Sequence, residues 1–348
     1  MKALVMSEPG NVKMTELPMP EMKPDEVLVR VRAAGICIND VRDFKGECDY
    51  SYPRIGGHEF AGEIYEIGSE VNKNRFRVGQ RVVTYVVDNC KECYYCKNGF
   101  ENVCPDSLNS ITYKNPDGIS GFCGFGQFVV AKAEDLYIAD DNVPFEKLAV
   151  VEPVACVINS INNANVEFGD DVLVIGGGTM GMLHVMLAHM KGANVILSEP
   201  VEERRKKALE LGANAVIDPT KVDVAEEVKR LTDGLGAKIV FNTTAIPAIA
   251  LQALDCTAKC GTMVMFSSLH PNKPVEINLG AIHSTQKNIT GAQNGTVKTF
   301  WQAVKMLNRG VFDPTPIIED VYDYHDFDQA MACAMRPDTY KVVLKITD

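Results

Sequence analysis

Asp170-Asp171-Val172-Leu173-Val174-Ile175-Gly176-Gly177-Gly178-Thr179-Met180-Gly181 is the stretch whose reading decides the fold. A β-branched apolar run enters a Gly-x-Gly-x-x-Gly turn and a helical segment follows. Asn194-Val195-Ile196-Leu197-Ser198-Glu199 then closes the unit as a second apolar strand ending in an acid. Strand, glycine turn, helix and acid in that order make a dinucleotide-binding βαβ unit. Gly176 permits the tight turn, Gly178 lets the backbone approach a pyrophosphate, and Gly181 lets the helix lie close to the strand. The helix start at Thr179-Met180 offers free N–H groups and a positive dipole end to the phosphates.

Glu199 lies about twenty residues past the turn, where a carboxylate accepts hydrogen bonds from an adenosine ribose diol and repels a 2′-phosphate. NAD is therefore expected rather than NADP. Arg204 and Arg205 argue the other way, because arginine just past this position can hold a 2′-phosphate. They also stand in the charged run Glu202-Glu203-Arg204-Arg205-Lys206-Lys207, which reads more simply as a solvated helix face. Arg204 is kept with Glu199 among the residues expected beside the cofactor.

At 348 residues the chain can support two domains, each with its own core. Its formal net charge of -11 argues against nucleic acid or an anionic membrane as the main partner. No run of 18 apolar residues suggests a membrane span. Met1 to Met6 turns polar at Ser7-Glu8-Pro9 before a signal-peptide core could form, so a cytoplasmic location is expected. In that setting eleven cysteines read as thiols and metal ligands rather than a disulfide framework.

Outward from the glycine turn, the hydrophobic period divides the chain. Residues 1–150 read as short alternating strands broken by Gly, Pro and Asn, among them Val27 to Arg32, Glu63 to Ile67 and Arg81 to Tyr85. This is a β-rich domain, a distorted barrel. Residues 151–284 alternate strand and helix, as a parallel doubly wound sheet requires. Residues 285–348 hold a strand at Asn288 to Thr290, a helix near Thr296 to Arg309 and a last strand at Lys341 to Ile346, expected to return to the first domain.

Two cysteine patterns point to metal. Cys90, Cys93, Cys96 and Cys104 form C-x2-C-x2-C-x7-C, and four thiolates on one short lobe can close a tetrahedral zinc shell that leaves no position for substrate. Lys91 and Lys97 could offset part of its charge. An iron–sulfur cluster is the rival, but its last gap would be three residues and a second cysteine set is usual. The second pattern is scattered: Cys37 in Gly35-Ile36-Cys37-Ile38-Asn39-Asp40, His58 and Glu59 in Gly56-Gly57-His58-Glu59, and Glu152 in Val151-Glu152-Pro153. Alone, Cys37 reads as a core thiol and His58 as a loop residue. Their placement at three expected strand ends beside a nucleotide domain favours ligation instead.

Gly35-Ile36-Cys37, Gly56-Gly57-His58-Glu59, the four-cysteine lobe and Gly176 to Gly181 stand in the order seen in zinc-dependent medium-chain dehydrogenases, and the resemblance covers essentially the whole chain. It implies an α/β architecture with a GroES-like catalytic domain and a Rossmann domain. Glu152-Pro153, where simple alcohol dehydrogenases carry a cysteine, is similar to the polyol branch, with sorbitol, iditol and sugar-alcohol-phosphate dehydrogenases. The resemblance further implies two zinc ions per chain, one structural and one catalytic. The catalytic zinc would be held by Cys37 and His58 plus a carboxylate, Glu59 or Glu152, bound directly or through water, with Asp40 orienting the histidine. An open fourth position would polarise a secondary alcohol while hydride passes to NAD⁺.

The chain departs from that family at Asn39, where most relatives place a Ser or Thr that begins a proton relay. An amide cannot relay a proton that way, though it can hydrogen-bond a substrate hydroxyl. Read blandly, Asn39 is only a turn residue. His184 and His189 read as packed or solvated helix residues, and His283 as a residue that could face the cofactor. Arg42, Lys45 and Arg54 flank the metal motifs and could hold a phosphate or carboxylate of the substrate, or simply be solvated. The loop from Ser110 to Phe125 is expected to shape the pocket. The expected activity is reversible oxidation of a polyol or sugar-derived secondary alcohol in a homodimer or homotetramer. L-threonine, sugar-acid and sugar-phosphate oxidation are the alternatives within enzymes, and a non-catalytic NAD-binding regulator the alternative outside them.

Overall fold

The computed structural model of the protein describes residues 1–108 and 118–348. Of the pocket loop expected from Ser110 to Phe125, residues 110–117 lie outside that description. The chain divides into two compact units, Met1–Ala155 with Gly295–Asp348, and Cys156–Asn294.

The second unit is built on a six-stranded parallel sheet. Its strands lie in the order Ala215–Ile217, Asn194–Ser198, Asp171–Ile175, Ala237–Asn242, Thr257–Met265, Asn288–Gly291. In sequence terms that order is 3-2-1-4-5-6, the doubly wound dinucleotide arrangement, and it puts the glycine turn after the central strand. Val172, Leu173 and Val174 are fully buried, because helices cover both faces of a parallel sheet.

The strand at Asn288 corrects the sequence reading. It pairs in parallel with Thr257–Met265, through Thr262 with Asn288 and Val264 with Thr290, and so belongs to the nucleotide unit. A four-residue strand with mostly exposed side chains gives no hydrophobic period to assign it by. The units part at Ala155/Cys156 and Asn294/Gly295, about five and ten residues later than the sequence boundaries, the second because the Asn288 strand stays with the nucleotide unit. The first of these points falls inside the Val151–Ala164 helix.

In the first unit a seven-stranded sheet is organised on Glu26–Ile36. This eleven-residue strand pairs with Glu59–Ile67 on one side; on the other its first half meets Phe128–Lys132 and its last residues meet Lys341–Lys345. The C-terminal segment therefore closes the first unit. By that closure Lys341, Gly35 and Glu59 come to lie on three neighbouring strands. A core of Val31, Ala34, Ile36, Phe60, Phe125, Tyr324 and Val342 fixes that junction.

Candidate functional site

Cys37 follows the Glu26–Ile36 strand and caps the Ile38–Phe44 helix, with extended backbone at φ -88° and ψ 158°. The Asp40 carboxylate one turn on accepts from the Cys37 N–H at 2.9 Å and from the Gly57 N–H at 3.2 Å, so one side chain ties both metal motifs together. His58 immediately precedes the Glu59–Ile67 strand, its ring beside Phe122 with centroids 5.4 Å apart. Its Nδ1 lies 3.9 Å from Asp40. The Cys37 sulfur, a His58 ring nitrogen and a Glu59 oxygen all fall within 4.8 Å of one another. Glu152 lies outside that group of atoms but is close enough to act on the His58 charge.

Anionic groups dominate the electrostatics around His58. Burial alone would drive the His58 ring neutral, yet the Cys37 sulfur, Asp40 and Glu152 hold its pKa well above the ordinary histidine value. The fit to a dication follows from the kind of donors, a thiolate, an imidazole and a carboxylate. Glu59 is 1% exposed and its carboxylate meets the Lys341 ammonium at 2.6 and 2.7 Å. Lys341 also donates to the Ile36 carbonyl at 3.3 Å. Burial opposes the lysine's charge, but Glu59 and Cys37 outweigh it and raise its pKa.

The structure corrects two sequence expectations around this cluster and removes the bland alternative at a third position. Glu152 is not at a strand end but in the first turn of the Val151–Ala164 helix, where Pro153 is tolerated because first-turn N–H groups have no helical partner anyway. Arg54 is not a surface cation for a substrate anion: it is 3% exposed and pairs with Asp43 at 3.2 Å. Asn39 is no turn residue either, since it sits in the first turn of a helix and donates to the Tyr50 hydroxyl at 3.1 Å.

In the cysteine lobe the sulfurs of Cys90 and Cys96 are 3.9 Å apart, Cys93 and Cys96 3.5 Å, Cys93 and Cys104 3.9 Å, and Cys104 and Cys90 3.6 Å. A tetrahedron of sulfurs about 2.3 Å from one ion has edges of about 3.8 Å, so these residues fit a zinc held by four thiolates. The spacing is far too long for disulfides. Backbone N–H groups of Cys90 and Asp106 pull Cys104 down to about 7, whereas burial and neighbouring thiols push Cys96 up to about 12. Four thiols so close cannot all ionise without a cation between them. Lys91 is not that counter-charge, because its ammonium pairs with Glu134 and Asp135.

The glycine turn itself has the close backbone packing that its spacing predicts. A Cβ on Gly181 would stand 1.8 Å from the Gly176 carbonyl oxygen, whereas one on Gly178 would meet nothing within 4 Å, leaving that side of the turn open. Gly178 caps the Thr179–Met190 helix without a side-chain hydrogen bond, so the first N–H groups keep their capacity for an anion. Glu199 is 4% exposed and accepts from Gly177 N–H at 2.6 Å and Val201 N–H at 2.9 Å. Arg204 lies 4.0 Å from it. Arg205 is spent on the Glu199 and Pro200 carbonyls and on Asp218. Sequence reasoning missed Thr243, whose hydroxyl donates to the Ile175 and Gly176 carbonyls at 2.8 and 3.1 Å and braces the turn. It also missed Lys341, Tyr50 and the paired role of Arg54. His184 is fully buried, while His189 and His283 are exposed.

Comparison with known proteins agrees with this geometry. Residues 23–141 match the alcohol dehydrogenase GroES-like domain and residues 179–309 the zinc-binding dehydrogenase family. The chain is 30% identical over 355 residues to a sorbitol dehydrogenase of Halalkalibacterium halodurans, covering 100% of both. It is 31% identical over 337 residues to an L-threonine 3-dehydrogenase of Caldanaerobacter subterraneus, covering 94% of this chain and 93% of that one. An alcohol dehydrogenase of Escherichia coli CFT073, crystallised with NADH, superposes with a TM-score of 0.89 at 26% identity over 99% of each chain. With a cluster of thiol, imidazole and carboxylate donors in one unit, a dinucleotide turn in the other and full-length relatives of this kind, the chain belongs to the zinc-dependent medium-chain dehydrogenase family, in its polyol dehydrogenase branch.

Proposed function

We propose that the protein oxidises a secondary hydroxyl of a polyol or sugar derivative, reversibly, with NAD as hydride acceptor and two zinc ions per chain. The observation that carries the reading is the convergence of Cys37, His58 and Glu59 donor atoms within 4.8 Å. When bound there, zinc supplies Lewis-acid polarisation of the substrate oxygen. Cys37, His58 and Glu59 hold it, Asp40 fixes the histidine ring, and Lys341 balances the charge of Glu59. Glu152, outside the donor group, takes the hydroxyl proton on its carboxylate. The second zinc belongs to Cys90, Cys93, Cys96 and Cys104 and shapes the lobe.

NAD is preferred because Glu199 presents a fixed, buried carboxylate beside the turn, where a 2′-phosphate would be repelled. The enzyme works as a homodimer, joined through the exposed edge strand Asn288–Gly291 and the Leu279–Thr285 helix, which has no buried residue. L-threonine, itself a secondary alcohol, is the second reading, supported by the 31% identical relative.

A panel of polyols, their phosphates, sugar acids and L-threonine, followed by NADH absorbance, tests the activity. His58→Ala should abolish turnover while NADH still binds; undiminished turnover would refute the site. Glu59→Gln should weaken retention of the catalytic zinc at least tenfold. Glu152→Gln should keep zinc and lose turnover. Metal loss from Glu152→Gln alone would exchange the two roles.

A further inference from the structure

Beside the donor cluster the chain buries charge that no ligand role explains. Asp43 and Arg54, 2% and 3% exposed, pair at 3.2 Å, and Tyr52 donates to the other Asp43 oxygen at 2.7 Å. Desolvating such a pair costs about as much as its attraction returns, so it is weak evidence for stability alone. What the pair supports is Tyr50. The Arg54 guanidinium lies 3.8 Å from the Tyr50 ring centroid, and the Arg54 backbone is pinned to Met6 by two hydrogen bonds of 2.8 and 2.9 Å. A ring held on a fixed platform places its hydroxyl, and this hydroxyl meets Asn39, two residues past Cys37.

We propose that Tyr50 and Asn39 form a hydroxyl-recognition couple that selects substrates carrying a second hydroxyl beside the reacting one; this rests on the dehydrogenase reading above. The Asn39 amide donates one N–H to Tyr50 at 3.1 Å and keeps another. The Tyr50 O–H reaches Asn39 Oδ1 only at 3.5 Å, the limit of a hydrogen bond and a contact that a better-placed oxygen displaces. Both side chains are half-buried, so neither is sealed in the core. A vicinal hydroxyl satisfies the couple. A simple secondary alcohol makes no such contact and leaves Tyr50 and Asn39 bonded to each other, so the couple adds binding to the diol alone.

The test compares kcat/KM for 2,3-butanediol and 2-butanol in the wild type, Tyr50→Phe and Asn39→Ala. The wild type should prefer the diol, and Tyr50→Phe, which keeps the ring and its stacking, should cut that preference at least tenfold through KM for the diol. Its kcat/KM for 2-butanol should stay within twofold. Asn39→Ala should act in the same direction. A merely structural role would depress both substrates together and leave the ratio unchanged; an unchanged ratio in both variants, or no diol preference in the wild type, overturns the proposal. Turnover of no alcohol at all by the metal-loaded wild type would instead overturn the dehydrogenase reading on which it stands.

Discussion

A Cβ on Gly35 would stand 2.3 Å from Glu59 Oε2 and 3.3 Å from Lys341 Cδ. The missing side chain is thus the hollow in which the buried carboxylate and ammonium meet. Gly35→Ala should push Glu59 away from Cys37 and His58. The expected result is a fall from two zinc to one per chain by metal analysis, with the Cys90 to Cys104 lobe still loaded; two zinc retained would detach Glu59 from the metal. A comparable argument holds at Glu199, whose Oε2 accepts from the Gly177 N–H at 2.6 Å. A ribose diol of NADH would donate to the same carboxylate, and hydrogen bonds to charged groups contribute about 1.5 to 3 kcal/mol. Glu199→Ala should therefore weaken NADH binding about tenfold or more and narrow its margin over NADPH, as read by NADH and NADPH fluorescence titration. An unaltered NADH-to-NADPH ratio would remove Glu199 from cofactor selection.

The Thr179–Met190 helix carries an acid-sensitive joint on its buried face. His184 Nδ1 lies 2.8 Å from the Met180 carbonyl and Nε2 3.0 Å from the Ser160 hydroxyl, with Phe241 and Phe266 rings against it. Burial lowers its pKa from 6.5 to about 4. The unfolded chain therefore takes up the proton first, so this helix packs at full strength above pH 6.5 and weakens progressively as pH falls toward 4. The loss is up to about 3 kcal/mol. Tm should drop over that window, and a His184→Leu/Ser160→Ala double variant should lose this part of the slope; a parallel slope in both proteins would exclude His184. This helix is apolar nearly all round, and it was readable from its glycine boundary and its place between two apolar strands rather than from a period. The Asn288–Gly291 strand was not, because an exposed edge strand has no apolar alternation, and neither was the helical setting of Glu152, because an apolar run reads equally as strand or helix.

Over the whole molecule, the sequence carried what local spacing can carry: the four-cysteine lobe, the glycine turn and the Cys37 and His58 motifs. It did not carry partnerships made by strand order. Lys341 meets Glu59 across 282 residues, and only the antiparallel return of the C-terminal strand beside Glu26–Ile36 brings them together. We propose that the same sheet logic governs assembly. In the nucleotide sheet Asn288–Gly291 is the end strand, and Ile289 and Leu279 are 41% and 76% exposed. An edge of unpaired backbone groups flanked by exposed aliphatic side chains is completed most simply by the same edge of a second copy, because a two-fold axis matches each patch to itself. Light scattering should then give twice 38.2 kDa for the wild type. Ile289→Lys with Leu279→Lys places like charges across that axis and should return the mass toward 38.2 kDa with secondary structure intact by circular dichroism. A variant that kept the wild-type dimer mass would move the interface to another surface.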